Sequence, residues 1–589
     1  MNLENITNKL KKIISCLFPI VLTLGIVAWL FGLDINSLNV PFEYRSDSLF
    51  SAAFIKGILE NGWFLHNPSL GQPTGLYLYD WFSADTLFVL MIKGFGLFSS
   101  NWAWVMNVFY LSTFALATLT SYLVLRHLKV AFPLSCTFSI LFSLLPYHFA
   151  RGESHLFLSG YFMIPLITLV LLYLSSGQLD LKAPPASSTS IPPSNKGKLL
   201  ASFLIVILTA MTGVYYAFFT CLFLAIAALI AISRDRTRWS SHLASAGVLI
   251  FTILLTVVIQ VLPNLVYQMQ HGRNTLNPER HASQAESLGL KLDQLVLPVT
   301  GHRVPFLASM KDRYNQNFPL VNENDSASLG IIASFGLLLL LFWLFFRPNV
   351  HQPKTHDHDY LSALAVLGGA AVLVGTIGGL GALIAMIINP MIRSYNRISI
   401  FIGFFALATL ALLLQQLFNR LASWKWQRVL VISLSACLMV IGILDQTVAS
   451  RSTNQSRFKS DQTYFSSLEA TIPAGSAIFQ LPYVFFPESP PLYDLASYDL
   501  LRPYLHTDKL TWSFGAMQGR EADEWQQSLT KLPVQDLFLQ IRDNGFTGIL
   551  IDRAGFADRA VKLEAELKTL VFSTPLVSDD QRYAFYSID

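Results

Sequence analysis

Three short stretches of this sequence carry residue types that move protons and hold anions. The first, PFEYRSDSLFSAAFIKGILENGWFLHNPSLGQPTG (41–75), places Glu43 and Asp47 four residues apart with Arg45 between them. Ser46 or Asp47 suits the N-cap of a helix running from Ser48 to about Glu60, and Asn61-Gly62 suits its end. The dipole and free amides of a helix start favour an ionised Asp47. At a membrane surface such a carboxylate could abstract a proton from an acceptor hydroxyl or polarise it. A plain helix cap, with Arg45 pairing nearby, is the structural alternative. The second stretch, PYHFARGESHLFLSG (146–160), collects His148, Arg151, Glu153 and His155 in a tight turn. Arg151 could hold a phosphate, and Glu153 or His155 could take a metal or a sugar hydroxyl. Interfacial anchoring with a local Arg–Glu pair, worth little energy, is the rival. The third, NPMIRSYNRISIF (389–401), sets Arg393 and Arg397 four apart at a predicted helix start, where they share one face. Guanidinium forks suit a phosphodiester or pyrophosphate, contact with lipid headgroups is the alternative, and Tyr395 between them is a candidate substrate contact.

The elements that must position these residues follow from composition. The 589 residues are 53% hydrophobic and only 13% charged, with a mean hydropathy of +0.47, which points to a multi-span membrane protein. A net charge of +4 gives no argument for nucleic acid. Apolar runs predict eleven spans near 13–32, 103–125, 131–149, 157–175, 199–213, 215–233, 244–265, 327–346, 361–388, 398–417 and 428–446. With the N-terminus in the cytoplasm, the basic clusters 9–12, Arg126/Lys129, Lys182/Lys196/Lys198, 234–238, Arg347/Lys354 and Arg420/Lys425/Arg428 all fall on the cytoplasmic side. That layout requires 84–99 to be an interfacial helix rather than a span. It leaves outer loops 33–102 and 266–326 and an outer C-terminal domain, 447–589, in which AIFQLPYVFF, TGILIDR and RYAFYSI read as strands between helices. The expected fold is thus an all-α polytopic membrane domain (1–446) followed by a small α/β extracytoplasmic domain. The inner loops APPASSTSIPPSNKGK and HQPKTHDHD read as linkers, so His351, His356 and His358 are taken as solvated. Cys16, Cys136, Cys221 and Cys437 lie in apolar runs and suggest neither disulfides nor a metal site.

In the first loop, Asp47, Gly62, Trp63, His66, Pro68 and Gly71 give an acidic residue after the first span, then a helix, then an aromatic/His-Pro/Gly stretch. Together with the many spans and the outer tail, this resembles the GT-C class of integral-membrane glycosyltransferases. The resemblance implies a polyprenyl-phosphate-linked sugar as donor, a glycan, lipid or protein as acceptor, and Asp47 as the catalytic carboxylate with Glu43 as second acid. It also implies a place in the cytoplasmic membrane with the site facing outward, in cell-envelope glycan biosynthesis. Arg393, Arg397 and Arg151 would hold the phosphate, and His66, Glu153, His155 and Tyr395 would contact substrate. Glu43, Asp47 and His155 are ligand types for a divalent ion such as Mg or Mn, although no spacing demands one. In the tail, Tyr498, Arg502, His506 and Trp512 are candidate sugar contacts or domain-docking residues, and His302 and Arg303 stand out in the second loop. No Walker loop, HExxH or GxSxG is present. A flippase of lipid-linked sugars and a non-catalytic membrane scaffold are the competing functions. A flippase would be expected to carry charges at mid-membrane, whereas the charged residues here gather at span ends.

Overall fold

The computed structural model describes residues 3–179, 194–276, 280–346, 356–388, 390–448, 455–571 and 573–588. Helix α1 (Leu3–Phe31) leads into a first long loop carrying α2 (Asp47–Asn61), a hairpin of β1 (His66–Asn67) and β2 (Leu76–Tyr77), and α3 (Thr86–Gly96). Then follow α4 (Trp102–His127), α5 (Phe132–Ser143), α6 (Pro146–Arg151), α7 (Leu156–Ser159), α8 (Ile164–Ser175), α9 (Ser194–Ala210), α10 (Val214–Arg234) and α11 (Trp239–His271). A second long loop holds α12 (Gln284–Ser287), α13 (Leu292–Val296) and α14 (Pro305–Asn317). The helical part closes with α15 (Gly330–Phe345), α16 (His356–Gly375), α17 (Leu380–Ile387), α18 (Ser399–Arg420) and α19 (Gln427–Gln446).

Only intra-segment hydrogen bonds satisfy a backbone in lipid, so apolar runs of this length fold as helices. Among the described residues, seven are long and apolar enough to cross a membrane: Lys9–Phe31, Trp102–His127, Phe132–Arg151, Val214–Arg234, Arg236–His271, Tyr395–Arg420 and Gln427–Gln446. The other four predicted spans hold α8, α9, α15 and α16, whose apolar parts are shorter. Two of these depart from the sequence reading for identifiable reasons. The predicted span 361–388 is cut at Gly375: Thr376 bridges to Leu290 in the second loop, Gly378 takes φ +72°, and α17 starts afresh. The predicted span 157–175 starts as a regular helix only at Ile164. The chain breaks at Gly160, where a Cβ would sit 2.6 Å from the Phe88 ring that packs there. Helix α3 has 11 residues, about 16 Å, roughly half the hydrocarbon thickness of a bilayer.

The C-terminal domain comprises α20 (Gln455–Thr471), β3 (Ala477–Leu481), α21 (Arg502–Leu505), β4 (Thr511–Trp512), α22 (Glu521–Leu529), α23 (Val534–Asp543), β5 (Phe546–Asp552), α24 (Val561–Leu570), β6 (Leu576–Val577) and β7 (Tyr583–Ser587). Its five-stranded sheet runs β4-β3-β5-β7-β6, parallel through β5 and antiparallel beyond. Pro482 ends β3 five residues before the predicted strand end, and Pro533 splits the predicted helix 521–545 into α22 and α23. Strand alternation divides the sheet. Phe479, Ile549, Ile551 and Tyr586 pack on α23 and α24, whereas Ile478, Leu550 and Phe585 join the core that continues into the membrane helices.

The two long loops and this domain meet at one end of the helical bundle. Tyr44 Oη bonds His506 (2.8 Å) and donates to Asp461 (3.1 Å); Lys56 donates to Asp508 and to the Thr507 carbonyl. Arg520 forks onto Asp80, and Arg280 forks onto Glu488. The four cysteines are free. Of the linker residues named above, Lys182, Arg347, His351 and Lys354 lie outside the described residues, as do the side chains of His356 and His358.

Candidate active site

Asp47 opens α2, but no side chain is spent on capping it. Ser46 occupies the cap position with φ +47° and makes no side-chain cap bond. Ser48 closes the turn instead, accepting from the Arg45 amide (2.9 Å) and donating to the Arg45 carbonyl (2.7 Å). The helix therefore begins one residue earlier than the sequence suggested, and the Asp47 carboxylate is left for other work. Its side chain is 48% exposed and lies 3.9 Å from His155 Nε2. Burial, then the nearby carboxylates of Glu488 and Glu323, raise the Asp47 carboxyl above its usual range. Burial, then Arg151, push the His155 imidazole down to about 4, so at neutral pH it faces Asp47 as a neutral ring. The other end of α2 closes on Gly62 in the left-handed region (φ +76°).

Glu43 is positioned for a different purpose. Its carboxylate accepts from the Ser154 amide (3.1 Å) and hydroxyl (2.6 Å), and its own amide donates to Glu153 Oε2 (2.8 Å). Gly152, at φ +49°, admits this contact, because a Cβ there would stand 2.7 Å from Glu43 Oε1. Glu43 thus fastens the first loop to the turn after α6. Glu153 is fully buried beneath it, and burial holds its carboxyl well above the usual range against the Glu43 amide, which favours the ionised form. With Glu43 committed to Ser154, the proposed metal donors Glu43, Asp47 and His155 do not converge. Among the described residues no three His, Cys, Asp or Glu side chains form a metal-sized group.

The arginines gather on a residue that the motif reading missed. Glu323, in the 3-10 turn Asn322–Ala327, accepts from Arg151 Nη2 at 3.0 Å and lies 3.7 Å from Arg397 Nη2. Asn396 Nδ2 stands 3.5 Å away. Burial alone would raise the Glu323 carboxyl, but Arg151 and Arg397 outweigh it and hold it at about 2. Each guanidinium also lies over a tyrosine ring, Arg151 over Tyr147 at 5.0 Å and Arg397 over Tyr215 at 4.1 Å. Arg393 and Arg397 do not share a helical face as their spacing suggested. Regular helix starts only at Ser399, after a 3-10 turn, and Arg393 turns to Gln284 (3.1 Å).

The remaining candidates are placed elsewhere. Tyr395 is 1% exposed, its ring against Phe218 and Phe219 of α10, so the tyrosine facing the arginines is Tyr215. His66 stacks on Tyr77 (4.5 Å) and lines a small aromatic cavity with Phe50, Phe54, Trp63, Phe64 and Phe486. One wall of this cavity is Phe50, Ala53, Phe54 and Gly57 of α2. His148 is locked by Thr113, the Ser143 carbonyl and Tyr161, and stacks on Phe114. His302 bonds Asp445, and Arg303 the Thr447 carbonyl. In the tail, Arg502, His506 and Trp512 are buried in docking contacts. Tyr498 packs on Phe50, one turn from Asp47, and its hydroxyl accepts from the Glu488 amide. The signal that would have found Glu323 is the one used for Asp47: an acid in a polar segment directly beside a span.

A model of a domain of unknown function (DUF6311) matches residues 51–315, a stretch that contains Arg151 and His155 and ends before Glu323. No curated protein matches the chain. Among solved structures, the chain is similar to the oligosaccharyltransferase of Archaeoglobus fulgidus in its apo form, at 11% identity and a TM-score of 0.46. That match covers 91% of this chain and 69% of the other. It is also similar to ArnT from Cupriavidus metallidurans bound to undecaprenyl phosphate (11% identity, TM-score 0.42, 97% and 98% covered). The apo state of the same protein gives 10% identity and a TM-score of 0.40, with 97% of each chain covered.

Proposed function

We propose that this protein is an integral-membrane glycosyltransferase that moves a sugar from a polyprenyl-phosphate donor to an acceptor on the extracytoplasmic face of the cytoplasmic membrane. The observation that carries this reading is a single polar site at the loop-bearing end of the bundle. There a carboxylate free of capping duty, Asp47, lies within reach of the same residues as two guanidinium groups, the buried Arg151 and the half-buried Arg397. The one-sided distribution of basic loop clusters supports the outward orientation, and the first-loop resemblance to GT-C enzymes supports the donor class.

In this mechanism Asp47 takes the proton of an acceptor hydroxyl as that oxygen attacks the anomeric carbon. The bond between that carbon and the phosphate oxygen breaks, and its electron pair leaves with the phosphate. A base whose pKa is raised toward the working pH holds the proton more firmly in the transition state, and burial with the acids Glu488 and Glu323 pushes Asp47 in that direction. Neutral His155 can hydrogen-bond the acceptor without adding a charge that would weaken the base. Arg151 and Arg397 stabilise the charge that grows on the leaving phosphate. Glu43 holds the floor of the site through Ser154. Membranes carrying Asp47→Asn should lose transfer of sugar from polyprenyl-phosphate donors by at least about 10²-fold, while the extracted protein keeps its unfolding temperature. Transfer at the wild-type rate would refute the assignment.

A further inference from the structure

The phosphate seat of the proposed reaction already has an anion in it. Arg151 and Arg397 both point at Glu323, and the fit is uneven: one contact at 3.0 Å, the other at 3.7 Å, with Asn396 at 3.5 Å. The Nε atoms of both arginines are buried and lack a hydrogen-bond partner among the described residues. The third arginine, Arg393, is held by the neutral Gln284. Among the described residues, then, three guanidinium groups are matched by one carboxylate within ion-pair reach. That leaves both surplus positive charge and unused donors.

We infer that the Glu323 carboxylate is a resident stand-in for the donor's phosphate, displaced by its own side-chain rotation when a phosphate ester enters between Arg151 and Arg397. This inference rests on the function proposed above. A carboxylate offers two coplanar oxygens and one charge; a phosphate ester offers more oxygens in a tetrahedral array and up to two charges, so it can reach both guanidinium forks. The backbone around Glu323 is tied down. Asn324 bonds the Gly289 carbonyl and the Lys291 amide, Asp325 bonds Thr300 and Asn315, and Ser326 donates back to the Glu323 carbonyl. The exchange therefore needs no opening of the second loop. The Glu323 side chain is 26% exposed. Until it rotates away, it compensates the buried Arg151 and the half-buried Arg397, which would otherwise be costly.

Binding of dodecyl phosphate and of inorganic phosphate to the full-length protein in neutral-detergent micelles tests this, because neither measurement needs turnover. Removing the competing charge in Glu323→Gln should tighten dodecyl phosphate by about tenfold or more. Adding Arg397→Gln to that variant should abolish the gain. Glu323→Asp, which keeps the charge on a shorter stem, should show a smaller gain and serves if the Gln variant is unstable. Unchanged or weaker dodecyl phosphate binding in both variants would overturn the inference. A gain confined to inorganic phosphate would overturn the assignment to a lipid-linked ligand. Asp47→Asn should still bind dodecyl phosphate, at least as tightly as the wild type, while losing transfer, so a failure of the catalytic reading and a failure of this one give different results.

Discussion

Two arginine clusters in this molecule look alike in sequence and differ in their charge balance. In the C-terminal domain, Arg457, Arg502 and Arg582 meet Asp461, Asp499, Asp552 and Asp580, with nearest contacts of 2.5–3.0 Å. There four carboxylates outnumber three guanidinium groups, the bonds are short, one guanidinium nitrogen (Arg457 Nε) has no hydrogen-bond partner among the described residues, and the network ties the domain to Tyr44 of the first loop. At the end of the membrane bundle, Arg151 and Arg397 share Glu323, Arg393 turns to the neutral Gln284, one contact is long, and two guanidinium nitrogens have no partner among the described residues. A network whose carboxylates outnumber its guanidinium groups has no positive charge to offer a further anion. One with surplus guanidinium groups is held ready for an anion that the chain does not itself supply.

Substitution in the two clusters should separate stability from function. Arg502→Met removes a buried cation from between Asp461 and Asp499 and leaves two arginines to compensate four carboxylates. It should cost about 3–5 kcal/mol, read as a fall in the unfolding temperature of the extracted protein and as easier proteolysis of the C-terminal domain. Arg397→Gln should do the reverse. Its partner Glu323 keeps Arg151, so the unfolding temperature should change little. The KM for the lipid-linked donor should rise about 10–100-fold, the worth of one or two charge-assisted bonds. If Arg397→Gln unfolds the protein and Arg502→Met spares it, the contrast between the clusters is wrong.

Much of this arrangement was legible before any coordinates. Each of the eleven predicted spans holds a helix, seven of them long and apolar enough to cross a membrane among the described residues, and the three polar stretches contained Asp47, His155, Arg151 and Arg397, because each sits directly beside a run where a charged residue needs a reason to be. What the sequence hid was pairing between distant segments. Nothing local says that Glu43 belongs to Ser154, 111 residues away, so its closeness to Asp47 in sequence suggested a shared role. Nothing local says that Arg151 belongs to Glu323. Spacing also misled where regular helix was absent: four residues place Arg393 and Arg397 on one face only in an α-helix, and this segment is extended chain and a 3-10 turn. Tyr395 was chosen for lying between the arginines, yet burial made it a core residue and left its place to Tyr215 on another helix.

The finest test of the comparison concerns the charge field on Asp47. Its carboxyl is raised first by burial and then by Glu488 and Glu323, so the ionised base should be lost at a higher pH than for an ordinary aspartate. The charged groups facing it differ in how they can be altered. Glu323 is tied to the arginines and His155 is neutral above about 4, whereas Glu488 comes from the C-terminal domain and is paired with Arg280. Glu488→Gln removes a negative neighbour and leaves Arg280 uncompensated, and both changes make ionising Asp47 easier. Its folded pKa therefore falls, and the acid limb of kcat/KM should move to lower pH, while the rate above that limb falls slightly because the weaker base holds the proton less firmly. A limb that moves to higher pH, or does not move, would show that the group titrating in the rate is not Asp47. The contrast drawn here would then have to be rebuilt around Glu153 or His155.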